Sequence, residues 1–306
     1  MDRREFLKQV ALWYAGIMTT APVFRLVPRA MAGTSASPPS GIIVSKGEDY
    51  FKITAAVIEK MGGMGRFVKP GAKVVVKPNI GWDRSPEQAA NTHPQVVRAL
   101  VTLALDAGAA SVQVFDRTCN EERRCYQNSG IKPELEKIKD PRVKCEFIDE
   151  RKFVPVKIEG GKALKEWQFY KDALEADCYI NVPVAKHHGL SGLTLGMKNI
   201  MGVIGGRRGQ IHHDIGRNLA DLNTVIRPSL TVVDATRLLL RSGPQGGKIE
   251  DVSIRNTVLA STDPVAADAY ATTLFGQTPD AITSTVAAFE MGLGEMRLEK
   301  CTITEV

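Results

Sequence analysis

The chain has 306 residues, of which 43% are hydrophobic and 24% are charged, with a formal net charge of +6 and a pI near 9.0. These fractions are ordinary for a globular protein, so the chain can bury a core of normal size, and its length allows one large domain or two small ones. The positive charge favours anionic partners. Because the basic residues are scattered and no recognition motif is present, we exclude nucleic acid as a partner.

The first 32 residues have the pattern of an export signal. Arg3 and Arg4 precede Phe-Leu-Lys, an apolar region follows over residues 10–24, and residues 30–32 form a small-x-small cleavage site. We predict a signal peptide over 1–32, recognised by the twin-arginine export machinery, and a flexible spacer over 33–40. An ordinary amphipathic helix is the alternative. The apolar region is shorter than the about 20 residues of a membrane span, so we expect no stable span after cleavage and a periplasmic or extracytoplasmic protein.

Strand and helix patterns alternate through the rest of the chain. Short apolar runs predict strands, and apolar residues at helical spacing predict helices. The predicted strands cover 42–44, 73–77, 111–115, 143–148, 178–184, 230–233, 254–260 and 301–305, and 154–170 is expected to form a hairpin or an excursion at the edge of the sheet. The predicted helices cover 50–61, 95–107 (with Thr92 as N-cap), 132–139, 193–204, 218–226, 264–273 and 281–291. This alternation predicts an α/β fold, a mostly parallel sheet with helices on both faces, in one large domain over 41–306.

The chain is organised around residues 181–214, which hold four of its five histidines. A buried strand is predicted to end at Pro183, and Lys-His-His follows at 186–188. The predicted helix over 193–204 carries a Lys-Asn pair, and Gly-Gly-Arg-Arg-Gly interrupts it at 205–209. His-His-Asp ends the stretch at 212–214. Cationic and imidazole groups crowded between apolar elements indicate a site and not a core.

Polar side chains also follow several other predicted strands. At or just beyond strand ends lie Lys77, Asn79, Asp116, Cys119, Lys186, His187, His188 and Asp234. In α/β sheets, ligands bind at the carboxyl ends of the strands. We therefore expect these side chains to meet at one edge of the sheet and to form a single site.

Proton transfer is one chemistry open to such a site. A lysine held in a dry pocket near other cations has a lowered pKa, and a histidine can move a proton near neutral pH. We therefore assign catalytic roles to Lys77, Lys186, His188, Lys198 and His213. A lysine whose ammonium reaches solvent from an element end is the alternative for Lys77.

Anion binding is a second chemistry. Glycine backbone N–H groups and guanidinium groups suit phosphate or carboxylate. The residues assigned to hold an anionic ligand or a cofactor are Asn79, Asn199, Gly205, Gly206, Arg207 and Arg208. The glycine run matches neither a P-loop nor a G-x-G-x-x-G motif, and a solvated glycine-rich turn is its alternative.

Metal binding is a third chemistry, with a weaker signal. Imidazole, carboxylate and thiolate groups suit zinc, iron or nickel. The candidate ligands are Asp116, Cys119, His188, His213 and Asp234. Adjacent histidines point in different directions, so at most one of each pair would bind, and neither H-x-x-x-H nor H-E-x-x-H is present. Strand-end aspartates can instead cap the next helix, and Cys119 can instead pair with Cys125.

Motifs along nearly the whole chain after the predicted signal peptide resemble those of the domain of unknown function family 362. They are VVKPN at 75–79, THPQVVR at 92–98, NVPVAKHH at 181–188, LTLGMKNIMG at 193–202, ADLN at 220–223, VVD at 232–234, GP at 243–244 and DPVAAD at 263–268. The resemblance implies the fold and the positions of the site residues. Many relatives carry a ferredoxin-like C-x-x-C-x-x-C module and are described as iron–sulfur proteins, and this chain has no such module.

These patterns predict an exported enzyme or redox-linked accessory protein that acts on a small anionic ligand. Its cofactor is unknown, with a metal ion or an iron–sulfur cluster as the candidates. The alternative is a non-catalytic periplasmic module that binds an anion, a metal or a partner protein. Turnover requires titratable groups with shifted pKa values that face one pocket, whereas a binding module requires only the anion site.

Overall fold

Strands and helices alternate along residues 40–306, which are the residues described by the computed structural model. The predicted signal peptide, residues 1–32, and residues 33–39 of the predicted spacer lie outside them. The strands are β1 (Gly41–Lys46), β2 (Lys73–Pro78), β3 (Ser111–Val114), β4 (Val143–Cys145), β5 (Phe153–Lys157), β6 (Glu166–Tyr170), β7 (Cys178–Val182), β8 (Val184–His188), β9 (Gly192–Thr194), β10 (Leu230–Leu239), β11 (Val252–Ser261) and β12 (Thr302–Glu305). The helices are α1 (Tyr50–Lys60), α2 (Pro94–Asp106), α3 (Glu122–Asn128), α4 (Ile131–Glu136), α5 (Lys171–Leu174), α6 (Gly196–Asn199), α7 (Ile215–Val225), α8 (Pro264–Thr273) and α9 (Thr283–Glu290).

Ten of the strands form one sheet in the order β12-β1-β11-β10-β7-β2-β3-β4, with β8 beside β10 and β9 beside β8. The run from β10 to β4 is parallel, as is the β1–β12 pair. Strand β11 is antiparallel to both of its neighbours, and β9 is antiparallel to β8. Strands β5 and β6 form a separate antiparallel hairpin, which is one of the two alternatives expected for 154–170. The predicted α/β fold with a mostly parallel sheet is confirmed.

Helices cover both faces of the sheet. Successive residues of a strand point to opposite sides, so the apolar residues of one strand contact helices on both faces. In β2, Val74 and Val76 pack in the core beneath α1 and α2, whereas Val75 packs in the core on the other face, beneath α7. A third cluster, around Val233 and Leu259, packs against α8. Because the residues on both faces of these strands are buried, their sequences are continuous apolar runs. Within residues 40–306, no helix is both long enough and apolar enough to span a bilayer.

The predicted end of a strand at Pro183 is confirmed, since β7 ends at Val182, but a second strand follows at once. Proline interrupts the hydrogen-bond ladder because it has no N–H, but the chain stays extended and continues as β8. The carbonyl of Pro183 accepts a hydrogen bond from the backbone N of Asp234 at 2.9 Å. At this hydrogen bond, the strand that pairs with β10 changes from β7 to β8. Lys186 and His188 therefore lie on a strand and not on a loop.

The prediction of a helix over 193–204 is wrong. This segment forms β9, the single turn α6 and a 3₁₀ turn at Ile200–Val203. Its apolar residues are buried on several sides, so their helical spacing does not mark one helix face. The side chain of Asp268 accepts hydrogen bonds from the backbone N of Gly196 at 2.7 Å and of Met197 at 2.8 Å, and this fixes where α6 begins.

Three smaller differences concern element ends. Residues 117–130, for which no helix or strand was predicted, contain α3, which begins after Glu121 because that side chain accepts from two backbone N–H groups. Strand β10 continues beyond Asp234 to Leu239, where it pairs with β11. Helix α2 is capped by His93 and not by Thr92. The Thr92 hydroxyl instead accepts from the backbone N of Asn79 and donates to the carbonyl of Val182, both at 2.8 Å, so it links two neighbouring strand ends.

Candidate functional site

A cavity of about 510 Å³ opens beyond the carboxyl ends of β2 and β3. Strand β8, helix α6 and the segment after α6 complete its wall. Its charged and imidazole side chains are Lys77, Asp116, Arg117, Lys186, His188, Lys198, Arg208 and His212. The prediction that the groups at the strand ends meet at one edge of the sheet therefore holds for most of them. Such a volume is within the roughly 300–1,000 Å³ of small-molecule sites.

An ion pair between Lys77 and Asp116 lies at the base of the cavity. Lys77 Nζ and Asp116 Oδ1 are 2.8 Å apart, and both side chains are buried. Asp116 Oδ2 also accepts from the backbone N of Ile80 at 2.6 Å. Burial lowers the pKa of Lys77, and the carboxylate of Asp116 opposes that shift. The pair is internally neutral, so it adds no net charge to the cavity.

Asn199 and Gly202 hold this ion pair in place. The side-chain oxygen of Asn199 accepts from Lys77 Nζ at 2.7 Å, and its amide nitrogen donates to the Lys77 carbonyl at 3.1 Å and to Asn181 Oδ1 at 2.8 Å. A Cβ at Gly202 would lie 1.6 Å from Asp116 Oδ1 and 2.4 Å from Lys77 Nζ. The absence of a side chain at this position is therefore what lets the pair approach the backbone.

Lys186 reaches the cavity from the middle of β8. Its ammonium donates to the carbonyl of Ala90 at 2.5 Å and to Asn79 Oδ1 at 3.3 Å. Both acceptors are neutral. Burial, together with the nearby charges of Lys198 and Lys77, lowers the pKa of Lys186 to about 7. This lysine titrates in the physiological range.

Lys198 is the least satisfied of the three lysines. Its ammonium contacts the thioether of Met201 at 3.3 Å, which is a weak acceptor. Burial, together with the cationic neighbours Arg208 and Lys77, lowers the pKa of Lys198 to about 8. Because the side chain of Asp268 anchors α6, the backbone that carries Lys198 is fixed.

Arg208 adds a third cation that no carboxylate neutralises. Its guanidinium donates to the carbonyl groups of Arg117 at 2.7 Å, Thr118 at 2.8 Å and Met201 at 3.2 Å. Across residues 40–306, no carboxylate lies within ion-pair distance of Lys186, Lys198 or Arg208. By contrast, Arg117 is paired with Glu150 at 2.8 Å. The cavity therefore carries an excess of positive charge.

Two imidazole rings form part of the same wall. His188 and His212 are stacked, with ring centroids 5.8 Å apart and an angle of 19° between the ring planes. Burial, followed by the charge of Lys198, lowers the pKa of His188 to about 3 and also lowers the pKa of His212. Both rings are therefore neutral at pH 7.

Hydrogen bonds assign the proton on each ring. Nδ1 of His188 accepts from the backbone N of Leu190 at 3.1 Å and of Ser191 at 3.3 Å, so in the neutral ring Nε2 carries the proton. Nδ1 of His212 lies 3.3 Å from the carbonyl of Gly209, which can only accept, so the free lone pair is on Nε2. One ring therefore offers a donor and the other offers a base.

The structure brings most of the predicted site residues into this cavity and leaves five outside its wall. Those that line it are Lys77, Asn79, Asp116, Cys119, Lys186, His188, Lys198, Asn199 and Arg208. Those that do not are Gly205, Gly206, Arg207, His213 and Asp234. His213 and Arg207 are solvent-exposed. The catalytic role assigned to His213 therefore has no geometric support, and His212 takes its place in the wall.

Neither Gly205 nor Gly206 lines the cavity. Gly205 donates its backbone N–H to the carbonyl of Gln168 at 2.9 Å and accepts from the indole N–H of Trp167 at 3.2 Å. A Cβ there would lie 2.8 Å from the ring of Phe153. The glycine thus allows the chain to pack against the β5–β6 hairpin. Of the predicted anion-binding run, only Arg208 faces the cavity.

The five predicted metal ligands do not form one cluster, because Asp116, Cys119 and His188 line the cavity whereas His213 and Asp234 do not. Asp234 accepts from the backbone N of His93 at 2.6 Å and from the hydroxyl of Thr236 at 2.7 Å, and it lies outside the cavity. Asp116 is paired with Lys77. Within the described range 40–306, no three His, Cys, Asp or Glu side chains form a group that could hold a metal ion. The five cysteines are free thiols, so Cys119 and Cys125 are not paired. The predicted donor set does not fit a metal centre.

Sequence reasoning missed several residues of the cavity wall. These are Gly81, Trp82, Arg117, Gly189, Leu190, Thr194, Met201, Gly202, Gly209, His212, Gly243 and Pro244. Gly202 and Pro244 lie in motifs that were identified, but their roles depend on contacts distant in sequence. His212 and His213 could not be separated without knowing how the 3₁₀ segment Arg208–Asp214 turns.

Comparisons with known proteins agree with the family resemblance. Residues 74–273 match the family described as Domain of unknown function (DUF362). A thylakoid-associated protein of Synechocystis sp. is 28% identical over 251 residues, which are 79% of this chain and 75% of that protein.

Two solved structures are similar in fold. A Thermotoga maritima protein has a TM-score of 0.50 at 13% identity, over 76% of this chain and 60% of that one. The lactate racemase apoprotein of Thermoanaerobacterium thermosaccharolyticum has a TM-score of 0.46 at 12% identity, over 76% and 57%. This chain covers less than two thirds of either structure. The first likeness concerns the fold alone.

Proposed function

This chain belongs to the family Domain of unknown function (DUF362), and we propose that it is an enzyme that binds a small anionic substrate in the cavity and transfers a proton to or from it. The family name specifies no reaction, so the proposal depends on the geometry of the cavity. One observation carries it: Lys186, Lys198 and Arg208 face the same space without a carboxylate partner within residues 40–306.

Uncompensated buried cations are costly, and a protein normally pairs them or shifts their pKa. Here the pKa values of Lys186 and Lys198 fall to about 7 and about 8. An anion in the cavity would favour the protonated forms and would raise both values. A carboxylate or phosphate group is the ligand class that such a site binds best.

The imidazole pair supports a catalytic role beyond binding. His212 offers a basic Nε2 and His188 offers an Nε2–H donor, both within the same wall. In the proposed mechanism, the cations hold the anionic group, His212 accepts a proton from the bound molecule, and His188 hydrogen-bonds to the oxygen on which charge develops. Lys198, with its lowered pKa, is a second group that can exchange a proton near neutral pH.

The binding step is tested by isothermal titration calorimetry with acetate and with inorganic phosphate at pH 6.5 and pH 8.5. We expect at least one anion to bind more tightly at the lower pH, because Lys186 and Lys198 lose their charge between the two conditions. Lys198→Met should weaken this binding about tenfold. Lys69→Met, which removes the same charge from an exposed position outside the cavity, should leave it unchanged. If neither anion binds, the proposal is overturned.

The proton-transfer step needs a separate readout. A panel of small carboxylates would be incubated with the protein in D₂O, and incorporation of deuterium at carbon would be followed by NMR. We expect exchange in at least one compound, and its loss in His212→Gln with His213→Gln as the matched control. Tight binding without exchange anywhere in the panel would favour the non-catalytic binding module.

We also propose that the protein acts outside the cytoplasm, because residues 2–8 match the twin-arginine pattern. Replacing both Arg3 and Arg4 by lysine should retain the protein in the cytoplasm, as measured by cell fractionation. Export of that variant at the wild-type level would contradict this.

A further inference from the structure

The mouth of the cavity differs in chemistry from its base. Its base consists of buried lysines, since Lys77 and Lys186 are each 1% exposed and Lys198 is 9% exposed. The more exposed part of the wall includes four apolar side chains, Trp82, Leu190, Met201 and Pro244, beside the polar side chains of Arg117, Arg208 and His212. We call these four residues the apolar rim. Leu190 is 72% exposed, and the other three are partly buried.

A small inorganic anion would leave this wall unused. A single water molecule occupies roughly 30 Å³ in the liquid, and an anion of a few heavy atoms occupies only a small multiple of that volume. The cavity measures about 510 Å³. A ligand that filled it would have to extend from the buried ammonium groups to the apolar rim.

Two hydrogen bonds fix the backbone around Leu190, and one of them is made to the ring of His188. The backbone N of Leu190 donates to Nδ1 of His188 at 3.1 Å, and the neighbouring Gly189 donates its N–H to the carbonyl of Gly243 at 3.2 Å. An exposed leucine alone is common on protein surfaces. Here its backbone is fixed, and it shares one cavity wall with an indole, a thioether and a proline ring.

We propose that the substrate is an amphipathic anion, with one anionic head group at the lysines and an apolar chain or ring that covers the apolar rim. This inference rests on the proposed function, because it assumes that the cavity binds an anion. It adds that affinity comes from two separable parts of the ligand. The charge at the base of the cavity determines which head group binds. The apolar contact area at the mouth determines which length of the ligand's apolar part binds most tightly.

The test is a homologous series of straight-chain carboxylates, acetate, butanoate, hexanoate and octanoate, titrated by calorimetry at pH 6.5 below their micelle concentrations. We expect the affinity to rise about threefold for each added methylene until the rim is covered. Succinate, which has a second carboxylate in place of an apolar end, should bind more weakly than butanoate. Hexyl phosphate in the same titration shows whether the head-group site prefers phosphate to carboxylate.

Two variants separate the rim from the base. Leu190→Ser should reduce the gain from acetate to octanoate at least threefold and leave the affinity for acetate unchanged. Ile254→Ser is the matched control, because Ile254 is an exposed aliphatic residue at 69% that does not line the cavity, and it should change neither value. Both positions are on the surface, so both variants should fold.

The possible failures are distinguishable. If acetate or phosphate binds but affinity is flat or falls with chain length, the amphipathic substrate is overturned and the anion site stands. If Leu190→Ser and Ile254→Ser lower the octanoate affinity equally, the chain does not lie on the rim and the inference is overturned. If no member of the series and no phosphate binds, the anion site itself is overturned.

Discussion

Lys77 and Lys198 belong to the same cavity, and both are buried, yet they have opposite surroundings. Lys77 has a carboxylate at 2.8 Å and an amide oxygen at 2.7 Å, so its charge is neutralised within the protein. Lys198 contacts a thioether at 3.3 Å and has two cationic neighbours. The first lysine is satisfied in the free protein, and the second would be satisfied only by a ligand.

The contrast shows that burial alone does not identify a functional lysine. Removing one member of a buried ion pair leaves the other charge without a partner, which is strongly destabilising. Removing a buried ammonium that has no partner also removes a desolvation cost. We therefore expect Lys77 to stabilise the fold and Lys198 to serve the ligand. The following variants test that division.

The largest effect is expected from Lys77→Met. The substitution would leave the carboxylate of Asp116 buried with one remaining backbone donor, and it should lower the free energy of unfolding by about 3–5 kcal/mol. The matched variant Lys198→Met should change it by no more than about 1 kcal/mol. Urea denaturation of both variants, followed by circular dichroism at pH 7, measures the difference.

A double variant separates lost charge pairing from lost packing. Lys77→Met combined with Asp116→Leu removes both charges, and it should recover a large part of the loss caused by Lys77→Met alone. Equal destabilisation by Lys77→Met and Lys198→Met would show that the counter-ion does not distinguish these two lysines.

The next effect concerns pH. Lys186 and Lys198 lose their protons near pH 7 and pH 8 in the folded chain, but only near 10.5, their ordinary value, when it is unfolded. Between these values the unfolded state binds more protons, so the free energy of unfolding rises with pH. From pH 7 to pH 9, in a buffer without small carboxylates or phosphate, the two lysines should add about 4 kcal/mol.

Lys198→Met removes one of the two lysines that titrate in this range. We expect the difference in unfolding free energy between wild type and this variant to shift by about 1 kcal/mol over the same pH range, in the direction that favours wild type at pH 9. Saturation with a bound anion should flatten the wild-type dependence, because the anion raises the pKa of both lysines. A shift of the opposite sign would mean that Lys198 is stabilised as a cation by protein groups.

The sequence predicted the larger elements and the neighbourhood of the site, because both follow from local patterns. Apolar runs such as 73–77 coincide with strands. The polar side chains at the strand ends lie close together because parallel strands end at one edge of the sheet. The local structure of 193–204 could not be predicted. Its apolar spacing matched a helix, and only the distant carboxylate of Asp268 determines where its single helical turn begins.

The roles of individual side chains depended on partners far away in sequence. Lys77 and Asp116 are separated along the chain, and their pairing requires a glycine at 202. Nothing in the local pattern distinguished this lysine from Lys198. Likewise, the choice between the adjacent residues His212 and His213 depends on how one short 3₁₀ segment turns.

The smallest expected effect on stability concerns two buried hydroxyl groups, one with hydrogen-bond partners and one without. The buried hydroxyl of Thr92 links the backbone N of Asn79 to the carbonyl of Val182, and Asn79 in turn accepts from Lys186. Thr231 is equally buried, but its hydroxyl has no hydrogen-bond partner among residues 40–306. Thr92→Val should therefore cost about 1.5 kcal/mol, because it leaves backbone groups without partners.

Thr231→Val has the same change in shape and should be neutral or slightly stabilising, within about 0.5 kcal/mol, because it removes an unsatisfied polar atom. Thermal unfolding of the two variants side by side measures the difference, which corresponds to roughly 2–6 °C in melting temperature for a chain of this size. The loss in Thr92→Val should be accompanied by weaker anion binding, since Asn79 then holds Lys186 less firmly. If the two valine variants unfold at the same temperature, the hydrogen bonds of buried hydroxyl groups do not govern stability at this end of the sheet. The difference between groups with and without partners would then apply to charged groups alone.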